Sequence, residues 1–148
     1  MGAKRYLAID LGERRTGLAG ADSVLRTAQP LEVLQVPAGP ALLDALARAV
    51  KEHGPDELVL GLPLNMDGTE GAAAARARVF AQQLAARTGL HVHLQDERLS
   101  SFEADQRMAQ RGGGGGGAGG TQKRTHQEKK ELRDALAACA VLEDFLRV

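Results

Sequence analysis

A chain of 148 residues has the length of one domain and can bury a single core without disulfide or metal staples. Nineteen Lys and Arg balance nineteen Asp and Glu, and a net charge of zero argues against a binder with a uniformly basic surface. Four aromatic residues (Tyr6, Phe80, Phe102 and Phe145) are too few for a base-stacking platform, and the single Cys139 excludes a disulfide framework or a cysteine zinc cluster.

Tyr6 to Ile9 is apolar on both faces, as in a central strand covered on both sides, and it runs into Asp10-Leu11-Gly12. After a turn through Gly12 to Arg15, Thr16 to Ala19 is a second strand and Leu31 to Val36 a third. Apolar positions 42, 43, 46, 47 and 50 recur at helical spacing from Ala41 to Lys51, between Pro40 and Gly54-Pro55. Leu58 to Leu60 is a fourth strand, and an Ala-rich helix spans about Gly71 to Arg87. His91 to Leu94 alternates as a fifth strand, with His91 and His93 expected to be exposed. Helices follow at about Ser101 to Gln110 and Glu128 to Leu146. Strands alternating with helices after three consecutive strands indicate an α/β fold, a mixed sheet covered on both faces.

Residues 112–120 hold eight of the 18 glycines, a tract expected to form a flexible loop at about 112–121. The neutral charge is an average. Asp22 to Glu70 carries eight acids against three bases, whereas Arg111 to Arg133 carries six bases against two acids. No apolar run approaches the roughly 18 residues of a membrane span, and the N-terminus has no signal-peptide pattern, so a cytoplasmic location is expected. Cys139, between two alanines in an apolar run, reads as a buried structural thiol.

Three acids fall outside the solvated positions acids usually take. Asp10 ends an apolar strand, where a charge is costly unless it is paired or metal-bound. Glu97 follows the fifth strand. Asp134 lies four, seven and eleven residues before Ala138, Val141 and Phe145, so it heads the apolar stripe of the last helix. Three such carboxylates could converge on Mg²⁺ or Mn²⁺, hard cations that take oxygen ligands. Each also has a plainer role. Asp10 could accept from the Gly12 or Glu13 amides, Asp96 or Glu97 could pair with Arg98, and Asp134 could pair with Arg14 or Lys130. Gly61 to Gly71 is a polar turn entering a helix, whose amides could hold a phosphate or simply close the turn.

Four blocks together resemble the YqgF (RuvX) family, a bacterial branch of the ribonuclease H-like nucleases related to the junction resolvase RuvC. They run from Leu7 to Ala19 (LAIDLGERRTGLA), Val59 to Glu70 (VLGLPLNMDGTE), Asp96 to Ser101 (DERLSS) and Asp134 to Ala138 (DALAA) with Leu142. Their order covers nearly the whole chain as one domain, 1–148. The resemblance implies a ribonuclease H-like fold, a five-stranded mixed sheet with helices on both faces. It also implies a divalent-metal-dependent nuclease, with Asp10, Glu97 and Asp134 as catalytic residues and ligands for Mg²⁺ or Mn²⁺. The product ends would be 5′-phosphate and 3′-hydroxyl. Family members are regarded as maturing the 5′ end of 16S ribosomal RNA in ribosome biogenesis, with an older assignment to Holliday-junction resolution. Lys123, Arg124, Lys129 and Lys130 would hold the nucleic-acid backbone, with Arg14, Arg15 and Arg98 as further candidates.

The glycine tract departs from the shorter basic segment of the family, which bears on substrate geometry more than on chemistry. Three other readings compete with precursor rRNA cleavage. A branched-DNA nuclease would use the same carboxylates, and junction resolution would call for a homodimer. The actin and sugar-kinase nucleotide-binding proteins share Asp-x-Gly on the first strand but close two domains around ATP, and this chain has room for one. A non-catalytic nucleic-acid-binding role on the same fold is the third.

Overall fold

The computed structural model describes residues 2–98 and 125–147. The expected helix at 101–110, the glycine loop at 112–121, and Lys123 and Arg124 lie outside the described residues. Five strands form one mixed sheet: β1 (Arg5–Leu11), β2 (Thr16–Asp22), β3 (Gln29–Leu34), β4 (Glu57–Leu62) and β5 (Val92–Asp96), in the order β3-β2-β1-β4-β5. β1, β2 and β3 pair antiparallel, whereas β4 pairs parallel with both β1 and β5. The helices are α1 (Pro40–His53), α2 (Ala72–Thr88) and α3 (His126–Leu146).

Period-two alternation divides the core between the sheet faces. Leu7, Ile9, Leu18, Leu58 and Leu60 pack with Leu42 and Leu46 of α1 and Phe80 and Leu84 of α2. Ala8, Ala19 and Val59 point the other way, onto Ala138, Cys139, Val141 and Leu142 of α3. The first face is built of large side chains and the second of small ones. α3 therefore lies close to the sheet, and Asp10, two residues after Ala8, faces it. Cys139 is fully buried in this layer, as a structural thiol should be.

Most element boundaries move by one to three residues from their sequence expectations, and two of the differences have clear causes. β3 begins at Gln29, across Pro30, because β3 is an edge strand whose proline nitrogen needs no ladder partner. α3 begins at His126 because Thr125 and Glu128 form a capping box: Thr125 Oγ1 accepts from the Glu128 amide at 3.1 Å and Glu128 Oε2 from the Thr125 amide at 2.8 Å. Among the described residues, no helix is long and apolar enough to cross a membrane.

Candidate active site

Asp10 is placed by β1. It pairs in register with Gly17 of β2, and on its other side Gly61 of β4 lies one step beyond the Ile9–Leu60 pair. Both glycines face α3, as Asp10 does. Glu97 follows β5 directly, and its amide donates to the Leu62 carbonyl at 3.2 Å, which fixes its backbone beside the end of β4.

The two glycines make the space that the acids occupy. A Cβ on Gly61 would lie 2.2 Å from Glu97 Oε2, and a Cβ on Gly17 would lie 2.2 Å from the Asp134 carbonyl oxygen. Neither distance is physically allowed, so a side chain at 61 would push the Glu97 carboxyl from this position, and only glycine at 17 lets the α3 backbone come this close. From the sequence Gly17 belongs to the second strand and Gly61 opens the segment after the fourth, whereas the structure puts both inside strands. The signal was a glycine inside a strand, which marks close approach of other atoms.

The Asp10 and Glu97 carboxyls interact side chain to side chain, and burial together with their mutual repulsion favours a proton held between them. Burial, and then the neighbouring Asp10 charge, push the Glu97 carboxyl up to about 9. Burial raises Asp10 as well, with part of that effect offset by the Glu97 hydrogen bond and part reinforced by the charge of Asp134. Glu97 Oε2 is buried and accepts from no donor among the described residues. Buried acceptors normally have a partner, and a bound cation would supply one here.

Asp134 is paired with Arg15, with Nε 2.6 Å from Oδ2 and both side chains 26% exposed. This corrects the sequence alternatives of Arg14 and Lys130. Arg15 reaches Asp134 because the Gly12 amide donates to the Arg15 carbonyl at 2.9 Å, and this turn folds Arg15 back over the end of β1. Asp10, Glu97 and Asp134 thus share one end of the sheet, but they do not contract into a tight cluster. Among the described residues, the donor set within 4.8 Å is Glu32, Glu52 and His53. That set lies on the other face of the sheet, where Glu32 of β3 meets the last turn of α1.

The remaining candidates are distributed around this site. Lys129 and Lys130 are exposed in the first turns of α3, and Arg14 is exposed on the loop after β1. Arg98 is braced, with Nε and Nη2 each 2.8 Å from Asp96 Oδ2 and Nη1 3.2 Å from the Met66 carbonyl. Of the pairings open to Arg98, the structure selects Asp96, whose carboxyl the guanidinium holds below the usual carboxylate range. The turn after β4 is occupied with its own bonds. Asp67 Oδ1 accepts from the Thr69 amide at 2.9 Å and its hydroxyl at 2.6 Å, and the Asn65 amide donates to the Thr69 carbonyl at 2.9 Å. His93 is not exposed: its ring lies 4.7 Å from Phe145, and Nε2 lies 3.0 Å from Glu57.

The chemistry of this donor set fits a divalent cation. All the donors are carboxylate oxygens, one of them is buried with no partner among the described residues, and the Asp10–Glu97 pair favours a proton that a cation would replace.

Comparison with known proteins agrees with this architecture. The RuvX family profile, described as Holliday junction resolvase, matches residues 4–148. A protein of Anaeromyxobacter sp. (strain Fw109-5) named "Putative pre-16S rRNA nuclease" is 46% identical over 145 residues, covering 96% of each chain. One of the same name from Haemophilus influenzae (strain PittGG) is 39% identical, over 94% of this chain and 92% of its own. Among solved structures, Thermus thermophilus RuvC in complex with a Holliday junction substrate superposes with a TM-score of 0.57 at 18% identity, over 97% of this chain and 94% of that one. The fowlpox virus resolvase with junction DNA gives 0.57 at 10% identity, over 96% and 98%. These likenesses carry the fold, which is ribonuclease H-like. With the family profile spanning nearly the whole sequence and close relatives matched end to end, the chain belongs to the RuvX family.

Proposed function

We propose that this protein is a divalent-metal-dependent nuclease that hydrolyses phosphodiester bonds, and that its substrate is precursor 16S rRNA at the 5′ end. The observation that supports it most is the Glu97 carboxyl, buried beside Asp10 in space left by Gly61, with one oxygen unpartnered among the described residues. The names of the relatives point to the RNA substrate.

Asp10, Glu97 and Asp134 are the residues that would hold Mg²⁺ or Mn²⁺. Such an ion, when bound, supplies activation of water and neutralisation of the charge on the pentacoordinate phosphorus. Each side chain has a definite task. Asp10 and Glu97 would release their shared proton to solvent as the ion binds, leaving both carboxylates able to hold it. Asp10, held at the centre of the sheet between two glycines, sets the position of the reacting phosphate relative to the other two. Lys129 and Lys130 at the start of α3, with Arg14 on the neighbouring loop, attract the strand through its phosphates and carry no sequence information. Lys123 and Arg124, in the same basic segment, have the same proposed role. A nuclease acting on precursor rRNA would work in the cytoplasm.

Cleavage of junction DNA is a second reading, favoured by the description of the family profile and needing two sites in a homodimer. The test is a cleavage assay on precursor 16S rRNA, single strands and four-way junctions, each with Mg²⁺ or Mn²⁺, comparing the native protein with Asp10→Asn. Metal-dependent cutting of the precursor that is lost in the variant is the expected result. Symmetric cutting of junctions alone would replace the RNA substrate, and activity unchanged by Asp10→Asn would remove the site assignment.

A further inference from the structure

Asp10 and Glu97 relieve their repulsion by holding a proton between them. Asp134 is balanced differently, by the guanidinium of Arg15 at 2.6 Å. A guanidinium and a divalent cation draw on the same carboxylate charge, and a cation bound at Asp134 weakens the hold on Arg15. The backbone of Arg15 cannot follow its side chain away. Its carbonyl is bonded to the Gly12 amide, and the next residue, Thr16, is fully buried at the start of β2. The side chain is half-buried in a recess of about 280 Å³ lined by Gly12, Glu13, Arg14, Arg15 and Asp134. That recess opens onto the rim where Arg14 is exposed.

We propose that Arg15 is a positioning residue with two alternative partners: it holds Asp134 until a divalent cation binds, and then turns to a phosphate of the substrate strand. The side chain would thus couple metal loading to strand binding. A cation neutralises Asp134 and in the same event frees a donor fork suited to phosphate. The proposal rests on the reading of Asp10, Glu97 and Asp134 as the cation site, and the experiment separates the two.

Mn²⁺ binding to the full chain is titrated by calorimetry for the native protein and for Arg15→Gln, Arg15→Lys, Arg14→Gln, Asp10→Asn and Asp134→Asn. Binding of a short single-stranded RNA is then measured in Ca²⁺ and in EDTA. Loss of the competing guanidinium should tighten Mn²⁺ binding in Arg15→Gln by about 5-fold or more. Arg15→Lys should tighten it less. Arg14→Gln, which removes the same charge from the same rim but not the contact, should change it by less than about 2-fold. RNA affinity of Arg15→Gln should fall in Ca²⁺ and match the native protein in EDTA. Mn²⁺ affinity unchanged or weakened in Arg15→Gln, or an RNA deficit equal in Ca²⁺ and EDTA, would overturn the exchange while leaving the carboxylate site intact. Mn²⁺ binding unaffected by both Asp10→Asn and Asp134→Asn, or undetectable in every protein, would instead remove the carboxylate site on which the exchange rests.

Discussion

Glu97 keeps its proton in the folded chain well into the range where an exposed glutamate has lost it, because burial and the Asp10 charge both disfavour the ionised form. Between about 4.5 and about 9 the fold therefore binds a proton that the unfolded chain releases. Stability gained from that proton is present at low pH and is lost as pH rises through this interval. The midpoint of urea unfolding in EDTA should decline from pH 5 to pH 9, and Glu97→Gln, which keeps a donor toward Asp10 but cannot ionise, should flatten the decline. A slope that Glu97→Gln leaves unaltered would mean that another group sets it. Asp10→Asn removes the ligand at the centre of the proposed site. The loss is several kcal/mol of transition-state stabilisation, on the order of 10³-fold in rate, measured as single-turnover cleavage at saturating Mg²⁺. Asp10 stands out in the sequence as a charge ending an apolar strand. Its hydrogen bond to Glu97 joins residues 87 positions apart, and no local pattern announces it.

At the scale of elements, the site depends on how near α3 and the end of β5 come to β1. α3 approaches through Ala135, Ala138, Cys139 and Val141, all buried, and Gly17 lets the helix backbone pass over β2. Gly17→Ala sets a methyl 2.2 Å from a helix carbonyl that cannot rotate away. Overpacking of this kind costs about 1–3 kcal/mol and displaces Asp134 with the helix. Gly61→Ala meets a side-chain oxygen, so its stability cost should be the smaller of the two, while the Glu97 carboxyl is pushed off Asp10. Urea titration ranks the two variants, and Mn²⁺ affinity should fall in both. If both bind Mn²⁺ normally, the glycines are packing residues with no bearing on the site. The elements themselves were largely legible, because long apolar runs and helical spacing are local signals. The edge position of β3 was not, since Pro30 is excluded from a central strand and harmless at an edge. The Thr125–Glu128 capping box could have been read from the chain, and it moves the start of α3 by two residues.

For the molecule as a whole, neutrality conceals segregation. Asp10, Glu97 and Asp134 share one end of the sheet, and Lys129 and Lys130 stand exposed where α3 begins. If both contact phosphates, changing them to alanine should weaken RNA binding without regard to sequence. It should also lower the slope of log affinity against log salt by about 0.7 per contact for a single strand. Mn²⁺ affinity should hardly change. An unaltered salt slope would place the strand elsewhere.

The order of strands and helices among the described residues and the two-faced core were legible in the sequence, because hydrophobic periodicity is a property of neighbouring residues, as is the charge of Asp10 at the end of an apolar run. Whereas Asp96 takes Arg98 two residues along the chain, tertiary structure decided the distant partners, Glu97 with Asp10 and Asp134 with Arg15. It also decided that Gly17 and Gly61 make the room in which the first two pairs form. Such pairings depend on a few ångströms of separation between strands and helices that are far apart in the chain, and spacing along one polypeptide does not encode that distance.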